Sequence, residues 1–368
     1  MTPEADARPL ISVVIPTCSA DRFLPDCLCS LQRQSLADFE AIVVDNGSTD
    51  EAAAALTAEF PWVRMIRLPG RQGFSKPVNA GCGAAEADLV FVLNDDTVLE
   101  DECLQELLAA AQAHPEVSFF AALMVCYDAP ETVNSAAHAL LSWGAAVDWG
   151  LGQPLSEEYL RPQPVFGACA GAALYRRALL QELGGFDETF HFLHEDVDLD
   201  FRAQLAGHSC WTVPAARVRH RVSQSLGADS PSAIEAGFRN AALVLLKNLP
   251  PAVWSRYRRR IFMTWWTNLA CLVRRGLAGV LRRALWGAAR LAPRVLALRR
   301  AQTPALLTRS EVIEHWLQWG DSHASAPATG PETAEAAGGG LCGRLRRMLL
   351  PALTALILLA PLLFWFGM

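Results

Sequence analysis

Two acidic clusters dominate the chemistry open to this 368-residue chain. The first, Asn94-Asp95-Asp96, follows directly on the apolar run LVFVL (89–93), with Asp101 and Glu102 just beyond. Neighbouring carboxylates repel, and an acid at the rim of an apolar sheet gives up hydration, so the arrangement costs stability unless a cation sits there. Oxygen donors of this kind suit a hard divalent cation. A solvated loop is the plainer reading. The second cluster, Glu195, Asp196, Asp198 and Asp200 in HEDVDLDFR, lies near a helix start. Acids there favour the macrodipole of any helix, and one of them could equally serve as a general base. A further acid, Asp45, ends the run AIVV and opens DNGSTD, a stretch that reads as an Asx turn and helix N-cap.

Alternating strands and helices must position these groups. LISVVIPT is a short β-branched strand ended by Pro16 and Thr17, and Phe23, Cys27, Leu28 and Leu31 follow at helical spacing. A second strand (41–44), a polar glycine turn and an alanine-rich helix capped by Ser48 or Thr49 repeat the pattern. VRMIRL, a loop and helix in GRQGFSKPVNAGCGAAEA, and LVFVL complete four strands in an α/β order. In open parallel sheets ligands bind beyond the carboxyl ends of the strands. That rule predicts that Thr17, Asp45, Asn46, Asn94, Asp95 and Asp96 converge on one edge. A helix over 101–113 and a strand in VSFFAALMV come next, the pattern loosens after Pro130, and it returns at VFGACAGAALYRR. A helix, a Gly-Gly turn and the acid-led helix follow, and beyond Gly237 long apolar and basic helices run to about Trp319.

Hydrophobic residues make up 52% of the chain, enough for one large domain with additions. The formal charge of -6 hides an uneven distribution, because residues 251–300 hold twelve arginines and no acid. Arg275, Arg282, Arg283, Arg290 and Arg294 fall on one stripe at helical spacing. With Trp254, Trp265, Trp266 and Trp286 they predict an interfacial helix on an anionic membrane. A basic face over a protein core is the alternative, and no nucleic-acid-reading module is evident. Residues 320–340 lack aromatic and large aliphatic side chains and read as a tether. The last 21 residues carry no charge, enough as a helix for about 30 Å of hydrocarbon, with Arg344, Arg346 and Arg347 keeping the tether side in the cytoplasm. The ten cysteines show no CxxC pattern and read as buried or inert thiols. The N-terminal MTPEADARPL lacks the blocks of a signal peptide, so a cytoplasmic catalytic part is expected.

The segments VVIPTCSADRFLPDCLCSLQRQ, FEAIVVDNGSTD, GFSKPVNAG, LVFVLNDDT, GACAGAALYRR, GGFDETFHFLHEDVDLDFRAQLAGH and VRHRVSQSLG, in that order, resemble a family 2 glycosyltransferase of GT-A fold, in its rhamnosyltransferase-like branch. The resemblance covers about residues 10–249. It implies a GT-A nucleotide-diphospho-sugar transferase fold, a Rossmann-like mixed sheet flanked by helices, over residues 1–235. A basic helical, membrane-interfacial region would follow over 236–319, a flexible linker over 320–343 and a transmembrane or membrane-inserted helix over 344–368. Asn94-Asp95-Asp96 occupies the place of the family's DxD motif, which implies Asp96 as ligand of a divalent metal, Mg²⁺ or Mn²⁺, and Asp95 as a contact to sugar or ribose. Asn94, where many relatives carry Asp, leaves one fewer charged ligand. Asp45 would read a uracil or thymine base with Asn46 assisting, and Pro16 and Thr17 would present backbone groups to the nucleoside. Arg71 would meet the diphosphate, Asn79 would line the pocket, and Gly171 in GACAG would allow close approach of the donor. Glu195-Asp196 corresponds to the family's ED motif, implying Asp196 as the base of an inverting transfer and Glu195 as its helper. His220 matches a histidine that completes the metal site in many GT-A enzymes.

The implied partners are a nucleotide-diphosphate sugar (dTDP-rhamnose or a UDP-sugar), a saccharide or lipid-linked acceptor and a membrane, with no nucleic acid. A sugar-nucleotide pyrophosphorylase would need a glycine-rich phosphate loop near the first strand, which VVIPTCSADRF lacks. A non-catalytic, membrane-anchored sugar-nucleotide-binding scaffold is the second rival, and the presence of Asp196 speaks against it.

Overall fold

Strand alternation defines the two faces of the central sheet in the computed structural model, which describes residues 8–20, 22–221, 230–302 and 308–323. In strand β1 (Ile11–Thr17), Ile11, Val13 and Ile15 face one hydrophobic layer and Val14 the other. Strand β4 (Leu89–Leu93) does the same, with Leu89, Phe91 and Leu93 opposed to Val90 and Val92. Both faces are apolar because both are covered, as parallel strands require. Helices α1 (Leu24–Gln32) and α4 (Cys103–Ala113) cover the first face. Helices α3 (Ser75–Ala84), α5 (Arg177–Leu183) and α6 (Glu195–Ala206) cover the second.

The sheet is mixed. Strands β2 (Phe39–Asp45) and β3 (Arg64–Arg67) run parallel to β1, as does β4 on its other side, and helix α2 (Asp50–Glu59) joins β2 to β3. Thr49 caps α2, its hydroxyl accepting the N–H of Ala52 at 3.2 Å. Beyond β4 the direction reverses at β11 (Ala172–Arg176), which pairs antiparallel with β4 and with β6 (Phe119–Cys126). Strand β12 (Cys210–His220) runs parallel to β6, with a register shift between Val213 and Arg217, and its far end pairs with β5 (Thr97–Leu99). Strand β10 (Pro164–Val165) closes that edge. The stretch without sequence periodicity folds as β7 (Ala129–Ser135) on β6, and as a hairpin of β8 (His138–Leu140) and β9 (Ala146–Asp148).

Among the described residues, four helices follow: α7 (Pro231–Asn248), α8 (Pro251–Arg274), α9 (Ala278–Ala301) and α10 (Ser310–His323). They share a core with α6, in which Phe201 and Leu205 meet Leu243, Val253, Val295 and Trp316. The arginine stripe expected on one helix is divided, because Arg275 caps α8 and the left-handed Gly276 ends it before α9 begins. Arg282, Arg290 and Arg294 are exposed on α9, whereas Arg283 pairs with Glu235 at 2.6 Å. Of the four tryptophans, Trp254 and Trp265 pack on the core, while Trp266 and Trp286 are exposed, the latter 73% so. No helix among the described residues is long and apolar enough to cross a membrane. Residues 320–323, expected to begin the linker, instead end α10, where Gly320 is buried and Asp321 meets Ser142 N and Arg260, and the rest of the expected linker and the apolar tail lie outside the described residues. Every described cysteine is free; Cys27, Cys103 and Cys210 are buried, and Cys29 and Cys271 are exposed.

Candidate active site

Parallel register brings the predicted strand ends together. Thr17 stands opposite Asp45, and Pro16 opposite Val44. The Thr17 carbonyl accepts the N–H of Asn46 at 2.7 Å, and its hydroxyl donates to Asp95 Oδ2 at 2.5 Å. Asp45, almost fully buried, accepts the N–H groups of Ser48 (2.8 Å) and Gly47 (3.3 Å) on Oδ1 and Arg67 Nε (2.9 Å) on Oδ2. Burial pushes its carboxyl up, but the hydrogen bonds from Ser48 and Arg67 outweigh this and hold it below the usual carboxylate range. A carboxylate offers about four lone-pair positions, so acceptor capacity remains on Oδ2. Asn46 braces the next loop, donating to the Gly73 carbonyl at 2.6 Å and accepting from Gln72 N at 2.7 Å. Arg71, exposed, lays its stem beside Gly47 in that loop. Asn79 gives both ends of its amide to the backbone of Phe186, at 2.8 and 2.9 Å.

Asp96 is 5% exposed, and its Oδ1 lies 3.1 Å from His220 Nε2. The long strand β12 delivers His220 to this point, opposite Thr97 in β5. Asn134 Oδ1 of β7 lies 2.7 Å from His220 Nδ1 and holds the ring with Nε2 facing the carboxylate, so that a proton kept on Nδ1 would leave Nε2 open to a metal. Two acceptors converging in this way fit a cation. Their separation matches the roughly 3 Å between neighbouring ligands of an octahedral ion with bonds of about 2.1 Å. One carboxylate and one imidazole leave the remaining positions to water and phosphate oxygens, as Mg²⁺-type sites do. Burial pushes Asp95 up to about 6, against the pull of the Thr17 hydrogen bond and with the push of Asp96.

The second acidic cluster divides by direction along α6. Asp198 and Asp200 point into the interior and are fully buried. Asp198, in the first turn of the helix as expected, is not left to solvent: it meets Arg202 (2.8 Å), Lys247 (2.8 Å) and Asn248 (2.7 Å). Asp200 meets His138 Nδ1 at 2.7 Å and Ala168 N at 3.3 Å. Asp196 is the accessible one, its side chain 15% exposed, with Oδ2 accepting Ala170 N at 3.2 Å. Glu195 is buried, and burial together with the Asp196 charge pushes its carboxyl well above the usual range. Its Oε2 has no hydrogen-bond partner among the described residues. The loop before α6 holds Leu193 and His194 in left-handed conformation, φ 65° and 69°, clamped by Asn240 Nδ2 on the carbonyls of Phe192 (2.9 Å) and Leu193 (2.8 Å).

The small-residue segment 167–171 joins the two centres. Ala170 binds Asp196, and the carbonyl of the next residue, Gly171, accepts the N–H of Asn94 at 2.9 Å. A Cβ on Gly171 would sit 3.1 Å from Met124 and 3.2 Å from Asn94 Nδ2. A Cβ on Gly167 would fall 1.9 Å from Asp200 Oδ2, so only glycine fits against that buried acid. Sequence reasoning missed Arg67, Asn134, His138 and Asp148. Arg67 lay within a strand read only as a strand, and the others lie where periodicity fails.

A mixed sheet with acids at the strand ends and a second acidic helix start across the same rim is a GT-A-like glycosyltransferase fold. Residues 12–184 match the family model described as glycosyl transferase family 2, so the chain carries a domain of that family and is a glycosyltransferase. It is 28% identical over 265 residues to an N-acetylglucosaminyl-diphospho-decaprenol L-rhamnosyltransferase of Mycobacterium tuberculosis, covering 64% of this chain and 84% of that one. It is 27% identical over 237 residues to the O-antigen biosynthesis protein RfbC of Myxococcus xanthus, covering 60% of this chain and 18% of that protein. Among solved structures, S. aureus TarS 1-349 superposes with a TM-score of 0.52 at 20% identity, over 85% of this chain and 90% of that chain. GalNAc-T7 with UDP, GalNAc and Mn²⁺ superposes at 0.54 and 16% identity, over 68% of this chain and 50% of that chain. At these identities the two structures speak to the fold alone.

Proposed function

We propose that this glycosyltransferase transfers a sugar, with inversion, from dTDP-rhamnose or a UDP-sugar to a glycan or lipid-linked saccharide acceptor. The observation that carries the reading is the short path between the two acidic centres, from Asp196 through Ala170 and Gly171 to Asn94. Asp45 and Asn46, with Pro16 and Thr17, hold the pyrimidine nucleoside. Asp95 meets the ribose or sugar, Arg71 the diphosphate, and Gly171 allows the donor to approach. Asn79 shapes the pocket wall through Phe186. Asp96 and His220 would hold Mg²⁺ or Mn²⁺, which when bound neutralises charge on the departing diphosphate. Asp196 takes the proton of the acceptor hydroxyl as that oxygen bonds to the anomeric carbon and the nucleoside diphosphate leaves. Glu195, kept protonated by burial, can donate a hydrogen bond that orients the acceptor.

The name of the mycobacterial relative supports rhamnose as donor sugar and a polyprenyl-diphosphate saccharide as acceptor. The exposed Arg282, Arg290, Arg294, Trp266 and Trp286 support membrane association through residues 236–319, with the catalytic part, residues 1–235, on the cytoplasmic side. A linker from residue 324 to 343 and the 344–368 tail complete the attachment in this reading. The test is Asp196→Asn in a donor-plus-acceptor assay. Lost transfer with donor still bound is expected, and undiminished transfer would remove the mechanism. A sugar-nucleotide-binding scaffold would instead bind donor and transfer nothing as wild type.

A further inference from the structure

We propose that His138 is a positioning residue for the catalytic base, gripping Asp196 from below through a carboxylate-anchored imidazole ring. The inference rests on the assignment of Asp196 as base. His138 opens β8, directly opposite Asp148 in the hairpin register, and its N–H bonds the Gly167 carbonyl at 2.8 Å. The ring is buried, and Asp200, fully buried itself, takes Nδ1–H at 2.7 Å. That bond fixes the ring plane and turns Nε2 toward Asp196 Oδ2 at 3.7 Å and Asp148 Oδ1 at 3.8 Å. The contact with Asp196 is electrostatic at this distance, longer than a hydrogen bond.

The groups facing the ring are Asp148 from β9, Asp196 and Asp200 from α6, Cys169 from the small-residue segment, and His194 and Glu195 at the helix start. Burial alone would strip the ring of its proton. The neighbouring Asp196 and Asp200 reverse this and lift His138 well above the ordinary histidine range, while burial pushes Asp200 itself up to about 7. Cys169, His138 and Asp196 also bring three potential metal-ligand atoms within 4.8 Å of one another.

The experiment compares full-length wild type, His138→Gln, Asp200→Asn and Asp196→Asn, with dTDP-rhamnose and an N-acetylglucosaminyl-diphospho-polyprenol as substrates. His138→Gln is expected to lower kcat by about 10–100-fold, the range for removing a second-sphere partner, with donor KM little changed. The acidic limb of its kcat/KM profile should move to higher pH, because the cation beside the base is gone. Asp200→Asn, which keeps the shape and removes the anchor's charge, should move kcat the same way and covers the case in which His138→Gln does not fold. Histidine-ring NMR supplies a readout independent of turnover: the His138 signal should titrate at lower pH in Asp196→Asn than in wild type. Unchanged kcat and pH profile in His138→Gln, while Asp196→Asn is dead, would overturn the positioning role and leave the base assignment standing. Full transfer by Asp196→Asn would overturn the base assignment itself. An unmoved His138 titration in that variant would overturn the coupling whatever the substrates.

Discussion

Asp45 and Asp196 are the same side chain in opposite circumstances. Asp45 is saturated by a turn and an arginine, whereas Asp196 keeps an accessible face. Because the folded pKa of Asp45 lies below its unfolded value of about 3.9, the stability it contributes is complete above that pH and fades as pH falls through the lower folded value. Arg67→Ala removes one source of that depression, so acid unfolding followed by circular dichroism should set in at higher pH than in wild type. Nucleotide binding by titration calorimetry should weaken in the same variant if Asp45 then loses its fixed orientation. At the proposed metal site, Asn134→Ala frees the ring of His220 from its partner at 2.7 Å. The Mn²⁺ concentration giving half-maximal activity should rise about 10–100-fold, the usual cost of losing a partner behind a metal-bound histidine.

At the scale of elements, β1, β2, β4 and α6 were legible because strand alternation and helical spacing each persist over a full element. The convergence of Thr17, Asp45 and Asp95 then followed from parallel register. His138, Asn134 and Asp148 were not legible. His138 and Asp148 sit in β8 and β9, three residues each and too short for a period to show, and Asn134 sits in β7, whose pairing with β6 shifts register twice. Asp198 does lie in the first turn of α6, as the helix-start reading of HEDVDLDFR has it, but periodicity of α6 could not say that Lys247 and Asn248, some fifty residues on, would meet it. Two substitutions test this packing. Gly167→Ala drives a Cβ into Asp200 and should cost about 3 kcal/mol by urea denaturation. Asn240→Ala leaves two buried carbonyls without their donor and releases the left-handed pair before Glu195, so a loss of about 1–3 kcal/mol with a drop in kcat is expected.

Across the whole molecule, charge is distributed so that acids gather at the carboxyl rim of the sheet and arginines on α8 and α9. Replacing Arg282, Arg290 and Arg294 by Gln in the full chain should weaken sedimentation with vesicles containing anionic lipid by about fivefold per residue at low salt, since each basic group near such a surface contributes about 1 kcal/mol. Binding to neutral vesicles should change little. Helix α7 links the two regions, with Asn240 holding the turn before the base and Lys247 joining Asp187 at 2.6 Å to Asp198. The helices that would meet a bilayer are thus no detachable cassette. Severing the chain before residue 231 would strip the sugar-transfer half of its keystone, and grafting that half onto a foreign anchor should succeed only if α7 travels with it.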